Sequence, residues 1–289
     1  MITFLGLPER TAGLIRGRQI SERISDSEFL HVNSHQIARN KICIFVRNHF
    51  SESAKFYKSK GHLIGYDICD MPAGDIYNGK LGLSMKNYCH DIYDFFIVNN
   101  QTAYNEAKAV TDRPVYVIPH HTVNFENKKI DIKSQVKAVG YVGLKEQFSQ
   151  SENFQSFLKD KNIEFISVHP NTREECDKVF QSIDVGVIFL DTSSTNESFM
   201  SAVKKYKPNT KLSNFQSYGI PTVCIGYDSY KQFGESAFIE INSYENMINA
   251  ISSLINSTYL RSELSEKSYH VGQKFHINNV IKMYTQVTK

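Results

Sequence analysis

Between Lys204 and Gly226 the chain reads KKYKPNTKLSNFQSYGIPTVCIG. Lys207 and Lys211 stand on either side of Pro208, Asn209 and Thr210, where a helix is expected to start. Pro208 bars helix before it, and Asn209 is a good N-cap. Leu212, Phe215 and Tyr218 give that helix one apolar side. Gly219 suits the left-handed residue after a helix, and Pro221 blocks continuation into what reads as a short buried strand, Pro221–Gly226. A helix N-terminus with two lysines beside it offers N–H donors, the positive end of a dipole and cationic charge. Those features suit a phosphate or diphosphate. The same residues also describe an ordinary capped helix with solvated lysines.

Acid–base chemistry has candidates elsewhere. In Tyr66-Asp67-Ile68-Cys69-Asp70, two carboxylates three residues apart follow an apolar strand. They would converge on one pocket, where one could act as a general base and the other orient an acceptor; either could equally cap a turn. His120 and His121 follow the strand ending at Ile118-Pro119 and offer an imidazole base or a hydrogen-bonding group. Arg16 and Arg18 lie early on a helix after the first strand and could meet a phosphate or an anionic acceptor, or simply be exposed.

The elements that position these residues alternate. Strands are expected at Ile2–Leu7, Glu28–Asn33, Lys41–Arg47, His62–Asp67, Asp94–Val98 and Pro114–Pro119. Helices are expected at Leu14–Ile24, Ser51–Lys60, Leu83–Tyr93 and Asn100–Ala109. The polar stretch 122–134 lacks apolar periodicity and reads as a linker. Beyond it the pattern repeats. Strands are expected at Val136–Val142, Ile163–Val168, Val185–Leu190 and Ala237–Ile241, and helices at Phe148–Lys159, Thr172–Ser182 and Tyr244–Ile255. Two closing helices are expected over 259–275 and 278–287. Such alternation implies α/β architecture: two Rossmann-like domains with parallel sheets, residues 1–121 and 135–270, and a C-terminal helix at 271–289 returning to the first domain.

Composition narrows the function classes. The chain has 289 residues, 41% of them hydrophobic, enough for two ordinary cores. A net charge of only +3 leaves no nucleic-acid footprint. The five cysteines have no metal-ligand spacing and read as reduced core thiols. No apolar run approaches the length of a membrane span, so a cytoplasmic protein, at most peripheral to the membrane's inner face, is expected.

Lys-Pro-Asn-Thr-Lys-Leu followed by Tyr-Gly-Ile-Pro resembles the donor segment of GT-B glycosyltransferases, in the branch related to bacterial polysaccharide and lipopolysaccharide enzymes. The resemblance implies a GT-B fold whose two domains face a cleft, with the second domain holding a nucleotide-sugar donor and the first an acceptor. It assigns Lys207, Asn209, Thr210 and Lys211 to the donor phosphates. Gly143, ending the first strand of the second domain, would let the donor approach backbone, although a tight turn also explains it. His169, in a His-Pro pair similar to one in some CMP-sugar transferases, would touch phosphate or ribose. Asn214 stands where family-4 enzymes carry a glutamate. Some inverting relatives keep their base after the first strand, which adds Glu9 to Asp67, Asp70 and His120 as catalytic candidates. Arg16 and Arg18 would bind the acceptor. The implied activity is metal-independent transfer of a hexosyl or related sugar to a surface glycan or glycolipid, with the nucleotide sugar as substrate and no cofactor. A sugar-nucleotide epimerase, or a binding module without turnover, shares the same plan.

Overall fold

The strand sequences set the architecture. Ile2–Gly6 (β1), Leu63–Asp67 (β4) and Phe95–Val98 (β5) are apolar on both alternating faces, and nearly all of their residues are buried. That pattern belongs to parallel strands covered on both sides. With Glu28–His31 (β2), Ile42–Val46 (β3) and Val115–Val117 (β6) they form a six-stranded, wholly parallel sheet in the order β2-β1-β3-β4-β5-β6. A second parallel sheet contains Ala138–Val142 (β7), Glu164–Val168 (β8), Val185–Ile188 (β9), Thr222–Ile225 (β10) and Ile239–Ile241 (β11), ordered β11-β10-β9-β7-β8. Read from β8, the second order matches the first five strands of the first sheet. The structure, a computed structural model, describes residues 1–9, 11–34, 36–70, 84–144, 148, 150–190 and 197–287.

The chain divides into two units. Unit 1 contains Met1–His120, Glu197–Pro208 and Ile277–Lys289, and unit 2 contains His121–Asn196 and Asn209–His276. In unit 1 the first helix, α1, is π-helical over Gly13–Arg18 and α-helical over Gln19–Ser21. Helices α2 (Ser51–Ser59) and α3 (Gln101–Lys108) follow, and the Asn100 side chain caps α3 by accepting from the Ala103 N–H. Unit 2 has α4 (Ser151–Lys159) and α5 (Arg173–Ser182), the latter capped by Thr172.

Helix α6 (Glu197–Tyr206) belongs to unit 1, although α5 before it and α7 (Thr210–Ser217) after it belong to unit 2. Unit 2 continues with the short α8 (Asp228–Lys231), then α9 (Tyr244–Asn256) and α10 (Thr258–Gly272), capped by Ser243 and Ser257. Helix α11 (Ile277–Gln286) returns to unit 1. Among the described residues no helix is long and apolar enough to cross a membrane.

Three segments differ from the sequence reading. Leu83, at the start of the helix expected over Leu83–Tyr93, lies outside the described residues. From Ser84 onward there is a single 3-10 turn, Met85–Asn87, with Ser84 accepting from the Lys86 N–H. The turn-forming residues Asn87, His90 and Asp91 prevail over the weak periodicity there. Helix α6 was not anticipated, although Ala202, Val203 and Tyr206 are buried at helical spacing. Residues 122–134 form no helix or strand, yet they are stitched to unit 2. Thr122 N–H bonds the Phe275 carbonyl and Val123 N–H bonds Asn214 Oδ1, while Asn124 Nδ2 donates to Ser217 O. Arg261 Nη2 donates to the carbonyls of Lys133 and Ser134.

Unit 1 is pinned by one buried ion pair. Arg16 is 1% exposed and Asp67 is wholly buried. Arg16 Nε donates to Asp67 Oδ2 at 2.6 Å, and Nη1 donates to the Ile118 carbonyl at 2.8 Å. Tyr284 of α11 donates its hydroxyl to the same Oδ2 at 3.0 Å. Burial opposes the charge on Arg16, but Asp67 outweighs it and raises the guanidinium pKa. Removing one partner strands a buried charge, so Asp67→Ala is expected to cost about 3–5 kcal/mol of stability in urea unfolding. The paired replacement Arg16→Met with Asp67→Leu should cost less than Asp67→Ala alone, because no unpaired charge remains.

Candidate functional site

In open parallel sheets, ligands sit outside the strand carboxyl ends where successive connections leave in opposite directions. The strand orders place such a point between β1 and β3 in unit 1 and between β7 and β9 in unit 2. In unit 2 the residue that follows β7 is Gly143, whose N–H bonds the Val168 carbonyl at the end of β8. A Cβ built on Gly143 would lie 2.6 Å from Lys211 Nζ, so a side chain there would displace the ammonium. Lys211, in the first turn of α7, donates to Tyr141 Oη at 2.7 Å and lies 4.6 Å from the centre of that ring. Tyr141 in turn donates to the Leu144 carbonyl at 3.3 Å. The result is an ammonium held over half-buried glycine backbone beside a helix N-terminus, an arrangement suited to an anion.

The other residues assigned to the donor divide. Thr210 is half-buried at the same helix start. Asn209 occupies the N-cap position with a helical backbone, φ −64° and ψ −9°; its side chain makes no capping bond and is wholly buried. Asn214 is also buried, and its Oδ1 accepts the Val123 N–H at 2.9 Å, so the amide at the position of the absent glutamate ties residues 122–134 to α7. His169 is exposed at the end of β8, an edge strand. Lys207 belongs to unit 1 and Lys211 to unit 2. Its burial lowers the ammonium pKa, and the charge of Asp70 pulls the other way.

In unit 1 the expected carboxylate pair does not converge. Asp67 turns into the core ion pair, whereas Asp70 stays accessible and faces Arg47, with Nε 3.4 Å from Oδ1. The difference arises at Cys69, whose φ of +57° reverses the chain between the two aspartates. Arg47, at the end of the adjacent strand β3, is also left-handed, with φ +69°. Non-glycine residues in this region are strained and gather at functional sites.

Arg16 is part of the core and is out of an acceptor's reach. Arg18 is exposed, pairs with Glu22 at 3.0 Å, and lines a groove of about 440 Å3 with Pro8, Glu28, Phe29 and His31. Glu9, just after β1, is exposed at the switch point of the unit 1 sheet. His120 and His121 are both buried, and His121 Nδ1 lies 3.0 Å from the Thr122 carbonyl. As a consecutive pair after Ile118-Pro119, they gave no sequence sign of this burial. Among the described residues no three His, Cys, Asp or Glu side chains gather to hold a metal ion.

Two features had escaped the sequence reading. Arg47 and Asn99 carry no motif, and only the fold brings them beside Asp70. The Asp177 clamp behind α7 is the second. Asp177 receives bonds from Lys128 Nζ, from Tyr218 Oη at 2.7 Å and from Gln181 Nε2 at 2.8 Å. Tyr218 stacks on Phe180 with ring centres 5.3 Å apart.

No family model matches this chain, and no curated protein does either. Solved structures do match along its whole length, and the fold they share with it is GT-B. The HepE protein of Anabaena, solved with UDP and glucose, superposes with a TM-score of 0.64 at 10% identity, covering 99% of this chain and 98% of that one. A glycosyltransferase from Rickettsia africae gives 0.61 at 10% identity, with coverages of 99% and 97%. Sucrose-phosphate synthase of Thermosynechococcus elongatus gives 0.60 at 12% identity, with coverages of 99% and 98%.

The clamp makes a pH prediction. Burial by itself would raise the Asp177 pKa, but bonds from Lys128 and Tyr218 and the charges of Lys128 and Arg173 outweigh it and hold the carboxyl below its ordinary value. Its stabilisation is thus full above the unfolded-state pKa, about 3.9, and is lost as pH falls through the lower folded value. Urea midpoints measured from pH 6 down to 2 should show a shallower acid decline in Asp177→Asn than in the parent. Equal declines would mean that Asp177 carries no linkage.

Proposed function

We propose that this protein is a glycosyltransferase that moves a sugar from a nucleotide-sugar donor to a glycan acceptor. The observation that carries the reading is the Lys211 ammonium held over Gly143 at the N-terminus of α7, beside the switch point of a GT-B sheet. The donor diphosphate would lie between that helix end and the Gly143 backbone. As the sugar–phosphate bond breaks, charge builds on the leaving phosphate. Lys211, already oriented by Tyr141, meets that charge without rearrangement, which favours departure without an obligatory metal. HepE was solved with UDP-glucose as well as with UDP, so a UDP-hexose is the first donor to test.

Asp70 is the proposed base for the acceptor hydroxyl. It follows a strand end, its side chain is 34% exposed, and Asp67 is already committed to Arg16. Glu9 is the next candidate by position. The Lys-Pro-Asn-Thr-Lys-Leu segment supports a surface glycan, lipopolysaccharide or capsule, as the acceptor class, and the small positive charge would favour work at an anionic membrane face.

Calorimetry with UDP tests the donor half. Lys211→Ala should weaken binding by about 1.5–3 kcal/mol, the range for a hydrogen bond to a charged group; an unchanged dissociation constant in the folded variant would refute the site. The base is tested by turnover. Asp70→Asn should lower kcat by about 10²–10⁴-fold with donor affinity retained. Conversion of the donor alone into an epimeric nucleotide sugar would instead identify an epimerase.

A further inference from the structure

Asp70 and Lys207 lie far apart in sequence, and one buried amide reaches the peptide unit that precedes each of them. Asn99, 1% exposed at the end of β5, donates both Nδ2 hydrogens. One goes to the Cys69 carbonyl at 2.7 Å and the other to the Tyr206 carbonyl at 3.0 Å. Cys69 O belongs to the peptide bond leading into Asp70, and Tyr206 O to the one leading into Lys207. Asn99 Oδ1 accepts from Asn100 Nδ2 at 2.7 Å, which fixes which way the amide faces. Asn100 also donates to the Lys205 carbonyl at 3.1 Å. The last carbonyls of α6 thus end on two asparagine side chains of β5's carboxyl end.

The Cys69 side of this arrangement is also held from below. Its N–H donates to Asp67 Oδ1 at 3.2 Å while its carbonyl meets Asn99, so the left-handed turn is gripped on both sides. On the α6 side, Tyr206 Oη donates to Glu106 Oε2, and Lys205 pairs with Glu106 at 3.2 Å. Helix α6 is therefore anchored to α3, and its final peptide is presented to Asn99. A carboxylate at position 99 would have no hydrogens to give and would face two carbonyl oxygens.

We propose that Asn99 is a positioning residue: its amide sets where Asp70 and Lys207 leave the backbone by holding the peptide units that precede both. The proposal rests on the reading of Asp70 as the base, and extends it by making the base's placement depend on a group that touches no substrate. Among the described residues, the charge acting on Lys207 is that of Asp70, which itself pairs with Arg47. Loss of the amide should release Lys207 toward water and leave the Lys211 site alone.

The test compares the parent with Asn99→Asp, and with Asn99→Ser in case the first fails to fold. Tyr57→Phe, which loses a bond from Tyr57 Oη to the Gln36 carbonyl elsewhere in unit 1, serves as a control for lost stability. With lysines dimethylated with carbon-13, the Lys207 resonance should titrate at higher pH in Asn99→Ser, which adds no charge, and should not move in Tyr57→Phe. With UDP-glucose as donor, kcat should fall by about 10–100-fold, the cost of misplacing a reacting group by about 1 Å. The KM for UDP-glucose should stay within about twofold. A folded Asn99 variant whose Lys207 titrates with the parent, and whose kcat stays within about twofold, overturns the proposal. If the parent itself turns over no nucleotide sugar, the transferase reading fails, and the Lys207 titration alone still decides the role of Asn99.

Discussion

Unit 1 depends on Asp67 more than on any other residue. Its backbone carbonyl receives the Arg47 N–H at 2.8 Å, its Oδ1 receives the Cys69 N–H, and its Oδ2 receives both Arg16 and Tyr284. One residue at the end of β4 therefore joins the end of β3, the π-helical start of α1, the loop to Asp70 and the final helix. A buried ion pair is a poor source of net stability, because desolvating two charges offsets most of their attraction. What it does supply is specificity. Each of those four segments has one arrangement that satisfies Asp67, and any other leaves a charge or an amide unpaired in a dry interior.

Unit 2 solves a different problem with a different device. Its candidate site needs a cation near backbone, and long lysines lose rotamer freedom when they bind. Tyr141 limits that loss by accepting a bond from Lys211 and placing its ring beneath the ammonium. Behind the helix, Asn214, Tyr218 and Asp177 fix α7 to residues 122–134 and to α5. Asn214 is thereby part of the frame that holds α7. Its amide can both accept from the Val123 N–H and remain neutral when buried, whereas a glutamate there would need a cation beside it.

The architecture was legible because parallel strands covered on both faces leave unbroken apolar runs, and because Gly219, Pro221 and Thr172 punctuate helices by local chemistry. Helix α7 was legible for the same reason. What escaped depends on partners distant in sequence. Arg16 reads as an exposed helical arginine until β4 and β6 bring Asp67 and the Ile118 carbonyl to it. Asp67 and Asp70 read as a pair because spacing of three says nothing of a left-handed residue between them. Helix α6 was hidden by the adjoining Lys207–Lys211 segment, and its place in unit 1 follows from Asn99, Asn100 and Glu106, none of which a local window contains. Lys207 and Lys211, four residues apart, were read as one cluster, yet they belong to different units.

The two left-handed residues at the ends of β3 and β4 deserve a physical reason, since glycine would adopt the same backbone without strain. A left-handed L-residue costs roughly 1–2 kcal/mol. At Arg47 the side chain explains the choice, because a glycine there would leave Asp70 without its cation. At Cys69 the thiol is buried, and desolvation raises its pKa, with Asp67 adding to the rise; it is a neutral packing group. A glycine at 69 would remove the strain, but it would also open a void in the core and free the backbone on the way to Asp70. The cysteine keeps that loop stiff. The strain is tolerated because Asp67 and Asn99 hold the residue's N–H and carbonyl at once.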